Sequence, residues 1–198
     1  MREKSGHGEE QGGERNGRLR PGDAVYFKDD ELHEGTDPQY YFPDKPDLAY
    51  AEADTFVAGR DGPELNGASE GCRIITLYNK DDKTGALIHV DASDIGSTRE
   101  EELTTVALST VPSLRKEGVE GQVFGDVETS PHSLAAEKWN DRLSKMLRGK
   151  GVSEVAPPFS EGVGKDVTLS TRTGKIEVRD DNGAVIYRHQ PGKPKSRE

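Results

Sequence analysis

The sequence predicts an α+β fold: a mixed β-sandwich or sheet with two main helices packed on it. Three observations predict it. Short alternating or β-branched apolar segments recur between residues 24 and 188, the pattern of half-buried strands. Two longer segments, near 98–114 and 130–148, place apolar residues at helical spacing instead. Turn sequences join successive strands directly, so hairpins rather than regular βαβ units build the sheet.

Of 198 residues, 31% are hydrophobic and 32% charged, an apolar share low enough to place part of the chain outside any core. That part is the N-terminus. Residues 1–20 carry one Leu, no aromatic residue and a run of Gly, Glu and Arg, a composition that does not order itself. The tail, 190–198, reads the same way. Residues 21–189 therefore form a single expected domain, with 21–51 as an irregular, aromatic-rich extension.

Within it, Ala24–Lys28 is the first expected strand. Pro38, Pro43 and Pro46 argue against helix in the segment that follows, which also holds Tyr40, Tyr41 and Tyr50. Residues 54–58 alternate as a strand, and "RDGPELNG" (60–67) reads as a turn-rich link. "CRIITLYN" (72–79) and "ALIHVDA" (86–92) form an expected hairpin around "KDDKTG". Thr98 precedes Glu101 by three residues, a capping-box spacing, and Leu103, Val106, Ala107, Val111 and Leu114 then give a helical stripe. Pro112 is expected to kink or split that helix.

Residues 121–127 read as a short strand. A second helix is expected from Ser130, with Pro131 at its first position, an apolar stripe through Ala136, Trp139, Leu143, Met146 and Leu147, and an end at Gly149 and Gly151. Three strands close the domain: 167–171, 175–179 and 184–188. Asn182–Gly183 suits a type I′ turn between the last two.

The net charge of −10, with no basic cluster, speaks against a nucleic-acid partner. No apolar run approaches membrane-spanning length, so no membrane insertion is expected, and no secretory signal follows Met1. A single cysteine, Cys72, cannot form an intrachain disulfide, which fits a reducing compartment. No Cys, His or Asp spacing predicts a metal site, and "DDKTG" and "RDDNG" are turn sequences rather than Ca²⁺ loops. Neither a metal nor an organic cofactor is expected.

Chemistry concentrates at Cys72 and His89. If Asn79 pairs with Thr84 across a four-residue loop, His89 lies opposite Ile74 and Cys72 sits diagonally on the same face. Such a pair, within about 4 Å, lets the imidazole take the thiol proton and form a nucleophilic thiolate. Gly71, lacking a Cβ, lets a substrate approach the sulfur. Ser69 and Gly71 belong to the loop whose N–H groups are candidates for an oxyanion or substrate site. Asn66, Ser69 and Asp91 are candidates to orient the ring. Equally, a lone strand Cys is a common buried hydrophobe, and His89 a common satisfied polar residue.

The order of these pieces resembles the CheD family of chemoreceptor glutamine deamidases. "NGASEGC" stands where that family has a loop ending in "LGSC", and "TGALIHVDAS" where it has a "GGMAHxxLP"-like segment. Downstream, "GVEGQVFGD", "SLAAEKWNDRLSKMLRGKGV" and "FSEGVGKDVTLSTRTGKIEVR" follow the family order, so the resemblance spans about residues 52–179. "SEGC" is also similar to the Ser-Gly-Cys motif of toxin deamidases of the cytotoxic necrotizing factor type.

Two departures fall in the loop before the nucleophile and a third lies far downstream. Asn66 replaces a Thr, Glu70-Gly71 replaces Gly-Ser, and "VGKD" lacks a Gly and an Arg.

The resemblance implies a cysteine-dependent protein-glutamine deamidase, either bacterial and cytoplasmic or delivered as an effector without a standard signal peptide. Cys72 and His89 would be catalytic and Asn66 would stand in the third position. The partner would be a protein carrying a surface glutamine. The alternative is a catalytically inactive, deamidase-like module that binds protein.

Overall fold

The computed structural model describes residues 19–69, 71–116, 118–125, 134–152, 154–155, 166–191 and 196–197. The strands are β1 (Ala24–Lys28), β2 (Glu31–Glu34), β3 (Leu48–Tyr50), β4 (Thr55–Arg60), β5 (Glu64–Ala68), β6 (Arg73–Asn79) and β7 (Thr84–Val90). Helix α1 (Thr98–Thr110), β8 (Val119–Phe124), α2 (Leu134–Gly149) and β9 (Glu154–Val155) follow. The chain closes with β10 (Asp166–Ser170), β11 (Ile176–Arg179), β12 (Val185–His189) and β13 (Ser196–Arg197).

Two sheets form, a seven-stranded one ordered β2-β1-β4-β7-β6-β8-β9 and a six-stranded one ordered β13-β12-β11-β10-β5-β3. Most neighbours are antiparallel, while β3–β5 and β8–β9 pair in parallel. The fold class is therefore α+β as expected, in three layers: helices, the seven-stranded sheet, and the six-stranded sheet.

Residue parity explains the layering. In β6, Ile75 and Leu77 pack with Leu103, Ala107 and Leu108 of α1 and Leu143 and Leu147 of α2. Their strand neighbours Ile74 and Tyr78 point the other way, into a second core with Leu65, Val167, Leu169 and Ile176 of the six-stranded sheet. All seven residues of β6 and all seven of β7 are buried, so this hairpin is the centre of the molecule. Its register is the expected one, with Asn79 opposite Thr84 and Ile74 opposite His89.

Several expectations shift. "RDGPELNG" contains a strand, β5, because Gly67 lies beneath the opposite sheet. A Cβ there would stand 2.9 Å from Leu87 Cδ2 and 3.1 Å from Ile74 Cδ1, so the glycine that suggests a turn is instead a site of close approach. The aromatic segment also carries β2 and β3, whose polar or very short sequences give little strand signal. Helix α1 is capped by Ser97 rather than Thr98: its side-chain oxygen accepts the Arg99 N–H at 3.0 Å. Glu100, not Glu101, reaches back, accepting the Gly96 N–H at 2.8 Å. Pro112 divides the segment as expected, opening a short 3-10 turn, Pro112–Arg115, beyond α1.

At the β11–β12 turn only Gly183 of the Asn–Gly pair has positive φ (78°), and its N–H donates to the Asp180 carbonyl at 2.8 Å. That is a turn closed by a left-handed glycine beside a register shift at Val178/Arg179, not type I′. In the terminal segment, where composition predicts no structure, Ser196–Arg197 pairs with β12. The expected start of the second helix at Ser130–Pro131, and residues 1–18, lie outside the described residues.

Candidate functional site

The hairpin's parity fixes the faces. Arg73 Nη1 donates to Glu100 Oε1 on α1, so its side chain belongs to the helix side of the sheet. His89 faces Ile74 and so lies on the side toward the six-stranded sheet, and strand alternation carried one residue beyond β6 assigns Cys72 to the same side. Gly71, with φ of 71°, turns the chain into Cys72, a conformation that favours glycine. Among the described residues, its chain neighbours apart, no atom lies within 4 Å of a Cβ built on Gly71.

On the other side, Gly125 (φ 133°) closes over the turn. A Cβ there would meet the Cys72 carbonyl oxygen at 2.4 Å and Arg73 Cα at 2.9 Å. The backbone of Cys72 is thus held between a left-handed glycine and a crossing segment.

His89 is 5% exposed. Its Nδ1 lies 2.9 Å from the Ala51 carbonyl oxygen, and because a carbonyl oxygen can only accept, the neutral ring carries its proton on Nδ1. Nε2 then presents a bare lone pair, buried and without a hydrogen-bond partner. Burial is the main cause that pushes the His89 pKa below its usual value. The Ala51 carbonyl and the charges of Asp54, Asp91 and Glu52 oppose it in part. Burial thereby favours the neutral ring, the form a proton acceptor needs.

The expected thiol–imidazole hydrogen bond is not formed, since Nε2 has no partner. The physical reason is positional. The β6–β7 ladder ends at Arg73 and Val90, and Cys72 stands one residue outside it, after the Gly71 turn. The two side chains share a face without being joined.

Other candidates are placed elsewhere. Leu65 and Gly67 face the second core, so Asn66 between them points outward, and its Nδ2 donates to Thr168 Oγ1 at 2.9 Å. Asn66 therefore does not orient His89; the Ala51 carbonyl does. Asp91 is spent on its own turn, accepting from the Ser93 N–H at 2.8 Å and Oγ at 2.7 Å, while its N–H donates to Asp54 Oδ1 at 2.9 Å. Ser69 is buried beside the loop that leads to Cys72. Glu70 lies outside the described residues, as does most of the segment preceding β10.

Two contributors had no sequence signal. A backbone carbonyl such as that of Ala51 leaves no trace in residue identity. Tyr50, next to it in β3, belongs to the aromatic extension and reads as packing; burial chiefly pushes its phenol pKa up, and Cys72 lies near enough to add to that. Among the described residues no group of three or more His, Cys, Asp or Glu side chains could hold a metal ion. No described helix is long and apolar enough to cross a membrane. No known family model matches the chain, and no curated protein matches it.

Proposed function

We propose that this chain is a cysteine-dependent protein-glutamine deamidase. The observation that supports it most is His89. Its Nδ1 lies on the Ala51 carbonyl and its buried Nε2 is unpartnered, on the face to which strand alternation carried one residue beyond β6 would bring Cys72. In this reading Nε2 takes the thiol proton, and the thiolate attacks the glutamine carboxamide carbon. The C–N bond breaks as the imidazolium returns its proton to the departing ammonia. Water, deprotonated by the same nitrogen, then cleaves the thioester to give glutamate and the free thiol. No metal or organic cofactor enters these steps.

The setting is bacterial, either cytoplasmic or as a delivered effector, and the substrate protein is bound through the face that carries Gly71. The test is mass spectrometry of surface-glutamine proteins after incubation with the purified chain. A gain of about 1 Da at a glutamine, the change from amide to acid, is expected with the wild type and absent with Cys72→Ser. Equal spectra for both proteins across a broad proteome overturn the reading.

A second reading, an inactive deamidase-like binding module, draws on the unformed thiol–imidazole bond and on the commitment of Asn66 to Thr168. It predicts stable capture of a partner protein by wild type and Cys72→Ser alike, with no mass change.

A further inference from the structure

Directly behind Cys72, on the helix side of the sheet, sits a buried ion pair. Arg73 Nη1 and Glu100 Oε1 are 2.7 Å apart, and both side chains are 3% exposed. The second carboxylate oxygen of Glu100 accepts the Gly96 N–H at 2.8 Å, so the acid is anchored at the entry to α1. Arg73 is the first residue of β6, and its cross-strand partner is Val90, the residue after His89. The pair thus tethers to one helix end the strand positions adjacent to both members of the candidate site.

Burying two charges is expensive, and a well-packed apolar pair of the same volume often gives equal or greater stability. A core this apolar has no evident need of it: Val90, Leu103 and Ala107 pack in the same layer. What the pair supplies is direction. Guanidinium and carboxylate impose a defined geometry that Leu and Met do not. The ladder stops at Arg73, and the left-handed Gly71 lies two residues before it, so Arg73 is the strand residue nearest the turn from which it can be fixed.

We propose that Arg73 and Glu100 are positioning residues, which hold the strand end that carries Cys72 against the first turn of α1 and so keep the thiol on the face of His89. The inference rests on the Cys72–His89 reading above.

The test is alkylation of the single cysteine by iodoacetamide in the full chain at neutral pH. Wild type is compared with Arg73→Met, Arg73→Lys, Glu100→Gln, His89→Ala and the double variant Arg73→Met/His89→Ala. Arg73→Met is expected to slow labelling about tenfold, the change in thiolate fraction for one unit of thiol pKa. Arg73→Lys, which keeps the charge pair, restores most of the rate. In the Arg73→Met background, His89→Ala has no further effect. Glu100→Gln, nearly isosteric, gives the same comparison should Arg73→Met fail to fold.

Folded Arg73→Met and Glu100→Gln variants that label at the wild-type rate overturn the proposal while leaving the pair reading intact. So does a His89→Ala effect of equal size in both backgrounds. A His89→Ala variant that labels like the wild type removes both.

Discussion

At the scale of single residues, the proposed chemistry centres on His89, and the environment of its ring is what the proposal draws on. A histidine between two apolar layers must satisfy or forgo its polar atoms. Here one nitrogen is satisfied by Ala51 and the other is forgone. An unpartnered buried nitrogen costs about 1–3 kcal/mol, a cost that a purely structural residue such as Leu or Gln at the same position would avoid. Asn66 illustrates the contrary case. Its half-buried amide is bonded to Thr168 on the outer face of the six-stranded sheet. Asn66→Ala is therefore expected to leave the iodoacetamide labelling rate of Cys72 within about twofold of wild type, while losing roughly 1 kcal/mol of stability with its hydrogen bond. Labelling kinetics paired with urea denaturation check both numbers; a tenfold slowing would restore Asn66 to the site.

The candidate nucleophile and base were legible in the sequence because strand parity is a rigid rule. Once "CRIITLYN" and "ALIHVDA" are strands joined by an even loop, shared faces follow. The orienting group was not legible. Asn66 carries side-chain chemistry and sits in the expected loop, whereas the group that holds His89 is a main-chain carbonyl 38 residues earlier, just past the end of β3.

At the scale of elements, glycine position separates sites of geometric need from sites of contact. Gly125 has φ of 133° and no room for a Cβ beside the Cys72 carbonyl, whereas Gly183 has φ of 78° and nothing within 4 Å. Gly183→Ala is expected to cost about 1–2 kcal/mol, the strain of a left-handed residue alone. Gly125→Ala adds a clash with backbone, which cannot rotate away, and is expected to cost about 3 kcal/mol or more. Thermal unfolding of both variants checks the order, and equal losses would contradict the close approach of β8's end to Cys72.

The same distinction explains why β5 was hidden. Gly67 and Pro63 mimic a turn in sequence, yet Leu65 and Gly67 face the core and β10 pairs along the whole length of the strand. The helices were easier. The stripe Leu103, Val106, Ala107 is continuous, and only the cap moved by a residue, from Thr98 to Ser97, because the neighbouring Ser, Thr and Glu residues offer overlapping capping patterns.

At the scale of the whole molecule, three layers share two apolar interfaces, and among the described residues charge lies at their margins and in the buried pair Arg73–Glu100. The outer face of the six-stranded sheet shows the marginal arrangement. Glu177 on β11 meets Lys175, Arg179 and Arg188, and these cations hold its carboxyl down to about 2, Lys175 first. An unfolded glutamate titrates near 4.3, so the unfolded chain takes up a proton first as pH falls. Stability from this cluster is therefore full above about pH 4.3 and is lost as pH falls from there toward about 2. Because the cluster is solvent-screened, the effect is modest. Glu177→Gln is expected to flatten the denaturant midpoint over that interval relative to wild type, and parallel curves would contradict the assignment.

The central claim is that His89 governs the reactivity of Cys72, and the pH dependence of Cys72 alkylation tests it most directly. The chain has one cysteine, so the labelling rate reports that site alone. An ordinary thiol titrates near 8.5. The wild type is expected to remain reactive below that range, through neutral pH, while His89→Ala follows the ordinary thiol curve. Superimposable profiles for the two proteins, both centred near the ordinary value, would contradict the claim.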